Sequence, residues 1–508
     1  MDNHKDQPQG NLLSRRAFMG AATTSAVAAS FIPRNVMGKQ KKFSPGDKLN
    51  IACIGVGTQG TRVMLDLLKH PELQIVAVCD PNRDDNTYLN WGHFELRDGI
   101  REAIEEPNWD EGVSGCRAGR IPAKQIVETW YGKQKGMKYK GCAEYADFRE
   151  LLEKEKDLDA VIVGTPDHQH AQVSIHALQK GKHVFCQKPM TNSIYEARLM
   201  GKIAAESGLV TQVATGNVSS EATDVLCEML WDGAIGTVRE VHNWSNRPVW
   251  PSGFTKIPQE QPPIPDGFNW DLWLGRAAYR PFHPLYTHTI FRSWYDFGTG
   301  AIGDMGCYSF AAIYRALKLG APDTVEASAS IYCDVIDTIP INLDNSVAHP
   351  QAMTAFFKFP ARGLGFPEVS LYWYDGGLLP VKPPEMGDED LPIEGILFVG
   401  DQGKLLTNFQ GGEPRLIPAE RDKLYTRPLP TIPRSKGHIQ DWIDACKGGP
   451  LPRADFATAA TLTESLNLAI IAMRTRKKLH WDAASMRITN VPEANELVKP
   501  LYREGWEL

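Results

Sequence analysis

The stretch KLNIACIGVGTQG, residues 48–60, decides the fold. Residues 51–54 are a short continuous apolar run, the pattern of a strand buried on both faces. Three glycines follow at Gly55, Gly57 and Gly60, in the spacing G-x-G-x-x-G. The segment TRVMLDLLK, 61–69, then carries apolar residues at helical spacing, and QIVAVC, 74–79, reads as a second strand ending in Asp80. Each part has a physical task. Gly55 permits a tight turn, Gly57 lets the backbone approach a pyrophosphate, and Gly60 lets the helix pack close to the strand. Thr58 and Gln59 lie at the helix N-terminus, where free amides and the positive dipole end favour phosphate. Asp80, 20 residues past Gly60, can accept both hydroxyls of a ribose and would repel a 2′-phosphate. The cofactor expected is therefore NAD, with NADP left open by the nearby Arg83.

Further β/α units continue the pattern. LDAVIVGTPDHQH, 158–170, reads as a strand and the loop at its C-terminal end; a helix over 171–180 follows, with Gly181 placed to cap it. HVFC, 183–186, is another strand and leads to Gln187-Lys188-Pro189. The segment 86–140, rich in Gly, Trp and charge, reads as a surface elaboration. From about Val218 the pattern changes. A helix is expected over 221–231 and a strand over 238–244, followed by a proline-rich loop over 248–265. Runs at 325–332, 352–359, 368–374, 395–399 and 404–408 predict a largely antiparallel sheet. Helices are predicted at 304–319 (closed by Gly320), 436–447 and 456–474. The fold class is α/β: an N-terminal doubly wound parallel sheet of the Rossmann type, then an α+β domain with an open, largely antiparallel sheet. The predicted division is 1–47 (signal and linker), 48–217 (dinucleotide domain) and 218–508 (substrate and oligomerisation domain).

Composition narrows the partners. With 508 residues the chain can bury two or three cores. A formal net charge of −6 argues against a nucleic-acid or anionic-membrane partner, because phosphate binding wants a basic face. The nine Cys are scattered without a C-x-x-C pair, so neither a disulfide framework nor a metal site is expected. Thirteen Trp, several of them between Trp231 and Trp294, suit either a core or stacking against sugar faces. Near the start, SRRAF at 14–18 precedes an Ala-rich, mildly apolar run that is too short to span a membrane. A paired arginine in that setting resembles a twin-arginine export signal. The expectation is a periplasmic or otherwise exported protein handled by the twin-arginine translocase, with no membrane anchor.

TPDHQH at 165–170 and GKHVFCQKPMT at 181–191 resemble the glucose–fructose oxidoreductase, inositol dehydrogenase and rhizopine-catabolism family, Gfo/Idh/MocA. WDLWLGRA (270–277), HPLY (283–286), RSWYDFGTGAIGDMGCY (292–308), and PEAN (492–495) with the final Gly505-Trp506 are similar to a branch of that family common in secreted bacterial proteins. The family marker is Glu-Lys-Pro; here Gln187 replaces the acid, while Lys188 and Pro189 match.

The resemblance implies a dinucleotide-dependent oxidoreductase acting on CH–OH groups. Its expected cofactor residues are Gly55, Gly57, Thr58, Gln59, Gly60, Asp80, Thr165, Pro166, Gln187 and Lys188, with His170 and Asn217 near the nicotinamide ribose. Hydride transfer from a carbinol needs a group to take the hydroxyl proton. Lys188, at a strand end in a partly desolvated cleft, is expected to have a lowered pKa and to bond the reacting oxygen. Asp304 and Tyr308, at i and i+4, share a helix face. The family commonly has His where Tyr308 stands, so Tyr308 is expected as acid/base with its pKa lowered by Lys188, and Asp304 as the orienting group. His283, Tyr286, His288, Arg292 and Trp294 form a polar–aromatic stretch suited to a sugar ring. The expected substrate is a carbohydrate or polyol, and the chain is expected to be a homo-oligomer. Two further readings stay open: a redox-neutral glycoside-processing enzyme with retained NAD, and a non-catalytic sugar-binding protein.

Overall fold

The computed structural model describes residues 47–508 except 93, 135–138, 344 and 364. The expected export signal lies outside the described residues. The first sheet begins with β1 (Leu49–Ile54), followed by α1 (Thr58–Leu68) and β2 (Leu73–Cys79). Then come the short pair β3 (Asp85–Tyr88) and β4 (Cys116–Ala118), with α2 (Glu95–Ile104) between them, α3 (Arg120–Lys133) and β5 (Ala143–Tyr145). The run closes with α4 (Phe148–Lys154), β6 (Ala160–Val163), α5 (His170–Gln179), β7 (His183–Cys186), α6 (Ile194–Ser207) and β8 (Thr211–Val213). The order is β5-β2-β1-β6-β7-β8, and every pair is parallel. That is the doubly wound order, with its switch point between β1 and β6, where ligands bind beyond the strands' carboxyl ends. The four residues of β6 are all buried, as a strand covered by helices on both sides must be.

The segment 86–140 does more than decorate the surface. It holds α3, the crossover between β2 and β5. Ile100 and Ile104 of α2 and Ile126 and Val127 of α3 are buried in the same core as Ile51 and Ile75. Its apolar residues at helical spacing are what close that face of the sheet.

The second part runs through α7 (Glu221–Trp231), β9 (Val238–Trp244), α8 (Trp270–Leu274) and α9 (Gly300–Leu317). Strands follow: β10 (Thr324–Ala329), β11 (Tyr332–Ile336), β12 (Ile339–Leu343), β13 (Met353–Phe359), β14 (Val369–Tyr374), β15 (Gly395–Gly400), β16 (Gly403–Thr407) and β17 (Arg415–Ile417). After α10 (Ala419–Leu424), α11 (His438–Cys446) and α12 (Phe456–Thr475) come β18 (Leu479–Asp482) and β19 (Arg487–Ile488). The sheet order is β17-β16-β15-β9-β14-β13-β10-β18-β19, antiparallel except for β14 against β9. β13 alternates strictly between buried and half-buried residues. Its inner face packs on α9 and α12, while Phe356, Tyr372 and His242 line the outer face, the last two stacked at 4.9 Å.

Three expectations need correction. The run 325–332 is broken at Ser330, and Tyr332 opens the separate β11–β12 hairpin. Helix α9 starts at Gly300, so the glycine-rich run is its first turn, and it ends at left-handed Lys318 rather than at Gly320. The late helices also return to the first sheet: Trp442 and Ile443 of α11 join one of its cores, and Phe456 and Ala460 of α12 another. α12 is long and apolar enough to cross a membrane, but most of its surface is buried within the protein.

Candidate active site

At the carboxyl ends of the first sheet lies a cleft of about 670 Å³ that reaches across to α9. One half of the cleft gathers most of the expected cofactor residues. Gly55, Gly57, Thr58, Gln59, Gly60, Asp80, Thr165, Pro166, Gln187 and Lys188 all line it. No side chain caps the start of α1, which leaves its first amides to the cleft. Gly55 has φ +85°, a left-handed turn, and a Cβ on Gly57 would come within 2.9 Å of the Tyr88 ring. Tyr88 therefore packs directly over Gly57, where a side chain would clash with it. The Asp80 carboxylate accepts from the amides of Val56 and Asn82, each at 2.8 Å, so it is fixed in orientation while keeping lone pairs for two hydroxyls. Burial pushes its pKa up to about 6, despite those two amides. The donors and the acid fit a nucleotide with free ribose hydroxyls.

The other half holds the charged groups. Lys188 follows β7 and Asp304 sits in α9, and the fold joins them across 116 residues: Lys188 Nζ donates to Asp304 Oδ1 at 2.8 Å and to its carbonyl at 3.0 Å. Arg292 Nε donates to the same Oδ1 at 2.8 Å. The ammonium stands 4.8 Å from the centroid of the Tyr308 ring. Burial raises the carboxyl of Asp304, but Lys188 and Arg292 outweigh it and hold Asp304 well below the ordinary carboxylate range. Burial opposes the charge on Lys188, yet Asp304 outweighs it, so the lysine pKa is raised. Burial likewise pushes the Tyr308 hydroxyl up, against the pull of Lys188. Both results correct the sequence reading, which expected the lysine and the tyrosine to be lowered. That reading had no view of the buried carboxylate that fixes the lysine's charge.

Several expected residues stand elsewhere. His170 is buried with Nδ1 2.7 Å from the Pro189 carbonyl and Nε2 2.8 Å from that of Thr165. Both ring nitrogens therefore donate to backbone. Burial opposes the imidazolium, but contacts including Cys186, Asp167 and the Pro189 carbonyl outweigh it and raise the pKa to about 9. The ring ties two loop ends and is not offered to a ribose. Asn217 donates to the carbonyls of Tyr308 (2.8 Å) and Gln410 (3.1 Å) and so seats α9 behind the cleft. From the polar–aromatic stretch only His288 and Arg292 line the cleft. Tyr286 and Trp294 are buried in an aromatic core with Trp270 and Trp273, and His283 Nδ1 accepts from the Leu285 amide as a local cap. Most of the tryptophan cluster is thus core.

Other lining residues were not foreseen. Asp167, within the TPDHQH stretch, is buried and accepts from Thr299 Oγ1 at 2.9 Å. Tyr88 and Trp91 reach the cleft from the 86–140 segment. The Tyr88 ring lies 3.9 Å from that of His288, and Thr87 Oγ1 lies 3.1 Å from His288 Nε2, so two distant segments meet over the glycine loop. Phe148, Leu272, Trp273 and Trp506 line the far end beside Asp80. Leu272, Trp273 and Trp506 belong to stretches that resemble the family, but nothing in the sequence gives them a place in the cleft, and Phe148 carries only an aromatic character that core residues share. Among the described residues no cluster of His, Cys, Asp and Glu could hold a metal ion.

Residues 125–215 match the model for the Gfo/Idh/MocA oxidoreductase family, NAD-binding Rossmann fold, and residues 230–338 match the model for its C-terminal alpha/beta domain. Together the two matched stretches cover under half of the chain. Levoglucosan dehydrogenase from Pseudarthrobacter phenanthrenivorans is 28% identical over 111 residues, 21% of this chain and 28% of that protein. A glycosyl hydrolase family 109 protein from Stenotrophomonas maltophilia is 26% identical over 175 residues, 34% of this chain and 29% of that one. The aligned regions span under a third of these curated relatives. The WlbA dehydrogenase from Bordetella pertussis, solved with NADH and UDP-GlcNAcA, shares the fold: TM-score 0.51 at 13% identity, covering 86% of this chain and 99% of that one. The cofactor of the family's Rossmann domain is NAD.

Proposed function

We propose that this protein is a member of the Gfo/Idh/MocA family and an NAD-dependent oxidoreductase that moves a hydride between the nicotinamide and a carbinol carbon of a sugar, inositol or sugar derivative. The observation that carries the reading is the Lys188–Asp304–Tyr308 cluster at the inner end of the dinucleotide cleft. NAD, when bound, supplies the hydride acceptor. Asp304 fixes the charge and direction of Lys188. The ammonium then donates to the substrate oxygen and stabilises the negative charge that grows there. Tyr308 exchanges the hydroxyl proton, as phenolate in oxidation and as phenol in reduction. Arg292 shares Asp304 and keeps that carboxylate ionised. Asp80 accepts from both adenosine ribose hydroxyls and disfavours NADP. The test is a panel of sugars, inositols and sugar acids followed by absorbance of the reduced cofactor, with Lys188→Met alongside. No turnover of any CH–OH substrate by the parent would overturn the reading.

A second reading has its own support, the alignment with the glycosyl hydrolase family 109 protein. In it the hydride is removed and returned to the same substrate, and the net reaction is cleavage or elimination. Glycoside turnover without net change in nicotinamide absorbance favours this reading; stoichiometric reduction of added NAD by a polyol sinks it.

We also propose export by the twin-arginine route, on the strength of Arg15 and Arg16 before the Ala-rich run. Replacing both arginines by lysine is expected to leave the protein in the cytoplasmic fraction. The half-buried aromatic outer face of the second sheet supports a homo-oligomer, to be tested by light scattering.

A further inference from the structure

The adenosine end of the cleft, beyond Asp80, is crossed by chain from the second half of the molecule. The loop after β2 is bound by main chain to the segment before α8: the Arg83 amide donates to the Gly267 carbonyl at 3.0 Å, and the Asn269 amide donates to the Pro81 carbonyl at 2.9 Å. Leu272 and Trp273 of the adjoining α8 line the cleft. A second piece, residues 503–508, lies beside them. Arg503 fastens it to α8: its amide donates to the Arg276 carbonyl at 3.0 Å, and its guanidinium donates to the Gly275 carbonyl at 2.8 and 3.0 Å and to the Asp271 carboxylate. Three residues on, the indole of Trp506 is buried against Phe148, with the Arg149 guanidinium carbon 4.3 Å from the centre of the ring. The Gln172 amide donates to the Trp506 carbonyl and ties the piece to α5 as well. Trp506, Phe148, Leu272 and Asp80 line one continuous cleft.

We infer that Trp506 and Leu272 form the outer wall of the adenine site and that Arg503 latches this wall, so that the dinucleotide exchanges slowly with solvent. The inference rests on the dinucleotide reading of the cleft and adds residues that lie outside the glycine motif. The purine attached to an Asp80-bound ribose has an apolar slot to enter. It cannot leave while residues 503–508 and α8 stay docked. The bonds that close the slot involve main chain and a buried indole, and these open only by local unfolding. A wall of this kind suits chemistry in which the hydride is given back before the cofactor departs.

The full-length protein is loaded with NADH, chased with excess NAD in a stopped-flow instrument, and followed by nicotinamide fluorescence. Trp506→Ala and Arg503→Leu are expected to raise the dissociation rate constant by about ten- to hundredfold, the scale of one lost buried aromatic contact, with a much smaller change in association. Release from both variants within about threefold of the parent rate overturns the wall. If Trp506→Ala does not fold, Arg503→Leu and Arg503→Lys decide alone, because the latch requires the lysine variant to fall between parent and leucine variant. A parent that binds NADH but releases it as fast as the variants overturns the wall and leaves the cofactor site standing. A parent that binds no NADH overturns both.

Discussion

Lys188→Met leaves Asp304 with Arg292 alone and removes the donor to the reacting oxygen. The loss expected in kcat is about 10²–10⁴-fold, the range for one positioned acid/base group. Tyr308→Phe keeps the ring under the ammonium and deletes only the hydroxyl. It is expected to lower kcat about 10²-fold or more with KM nearly unchanged, which steady-state kinetics will separate. Burial raises the Tyr308 pKa above the ordinary phenol value of about 10, so oxidation should accelerate with pH through that region while reduction stays flat below it. Asp80 supplies a second pH effect. Its pKa is about 6, and the ribose hydroxyls need the carboxylate, so the Kd for NAD should rise about tenfold per pH unit below that value. The sign reverses for the empty protein. The folded state holds this proton more tightly than the unfolded chain, so that stabilisation is full below about pH 4 and lost as pH rises through 6. Calorimetric titration of NAD across pH 5–7 is the check. At this scale the sequence reading located Lys188, Asp304 and Tyr308 because motif and helical spacing are local signals. It misjudged their acidity because the Lys188–Asp304 contact is long-range. It assigned His283, Tyr286 and Trp294 to a sugar because a row of rings does not reveal which of them cap a turn or enter the core.

Helix α9 carries both Asp304 and Tyr308, so its first turn sets the geometry of the chemistry. Gly300 opens that turn at φ +61°, and a Cβ there would lie 2.7 Å from the His349 ring. Gly300→Ala should destabilise the protein by about 2–3 kcal/mol, from the left-handed backbone and the clash together. It should also depress kcat by shifting Asp304, and thermal melts with kinetics at a permissive temperature will separate the two effects. Elements with strong periodicity were legible to the residue: 221–231 as a helix and 238–244 as a strand match α7 and β9. The start of α9 was not, because glycine discourages helix and only the packing around Thr299 and His349 compensates. The segment 86–140 was misread for a related reason. Its loops are polar and long, and the buried faces of α2 and α3 are visible only once a sheet is there to cover.

Across the molecule, α11 and α12 belong late in the sequence yet pack on the first sheet, and α12 also backs the second. Neither sheet keeps its cover if the other is lost. One cooperative unfolding transition is therefore expected, and calorimetry showing two separable transitions would contradict it. NAD at about 100 times its Kd should stabilise this unit by about 2.7 kcal/mol as a whole, raising a single Tm. The parallel sheet followed by an antiparallel one was legible from the change of pattern near Val218. The return of the last helices was not, because nothing in an apolar helix says which of two sheets it will meet.

The Lys188–Asp304 contact has a meaning for the history of each molecule. One partner ends a strand of the parallel sheet, and the other rides on a helix of the antiparallel one. A chain still being made has the glycine loop and the lysine long before it has docked α9. Such a chain has the lysine without the carboxylate that fixes its charge. Reactivity thus requires both sheets to be folded and docked.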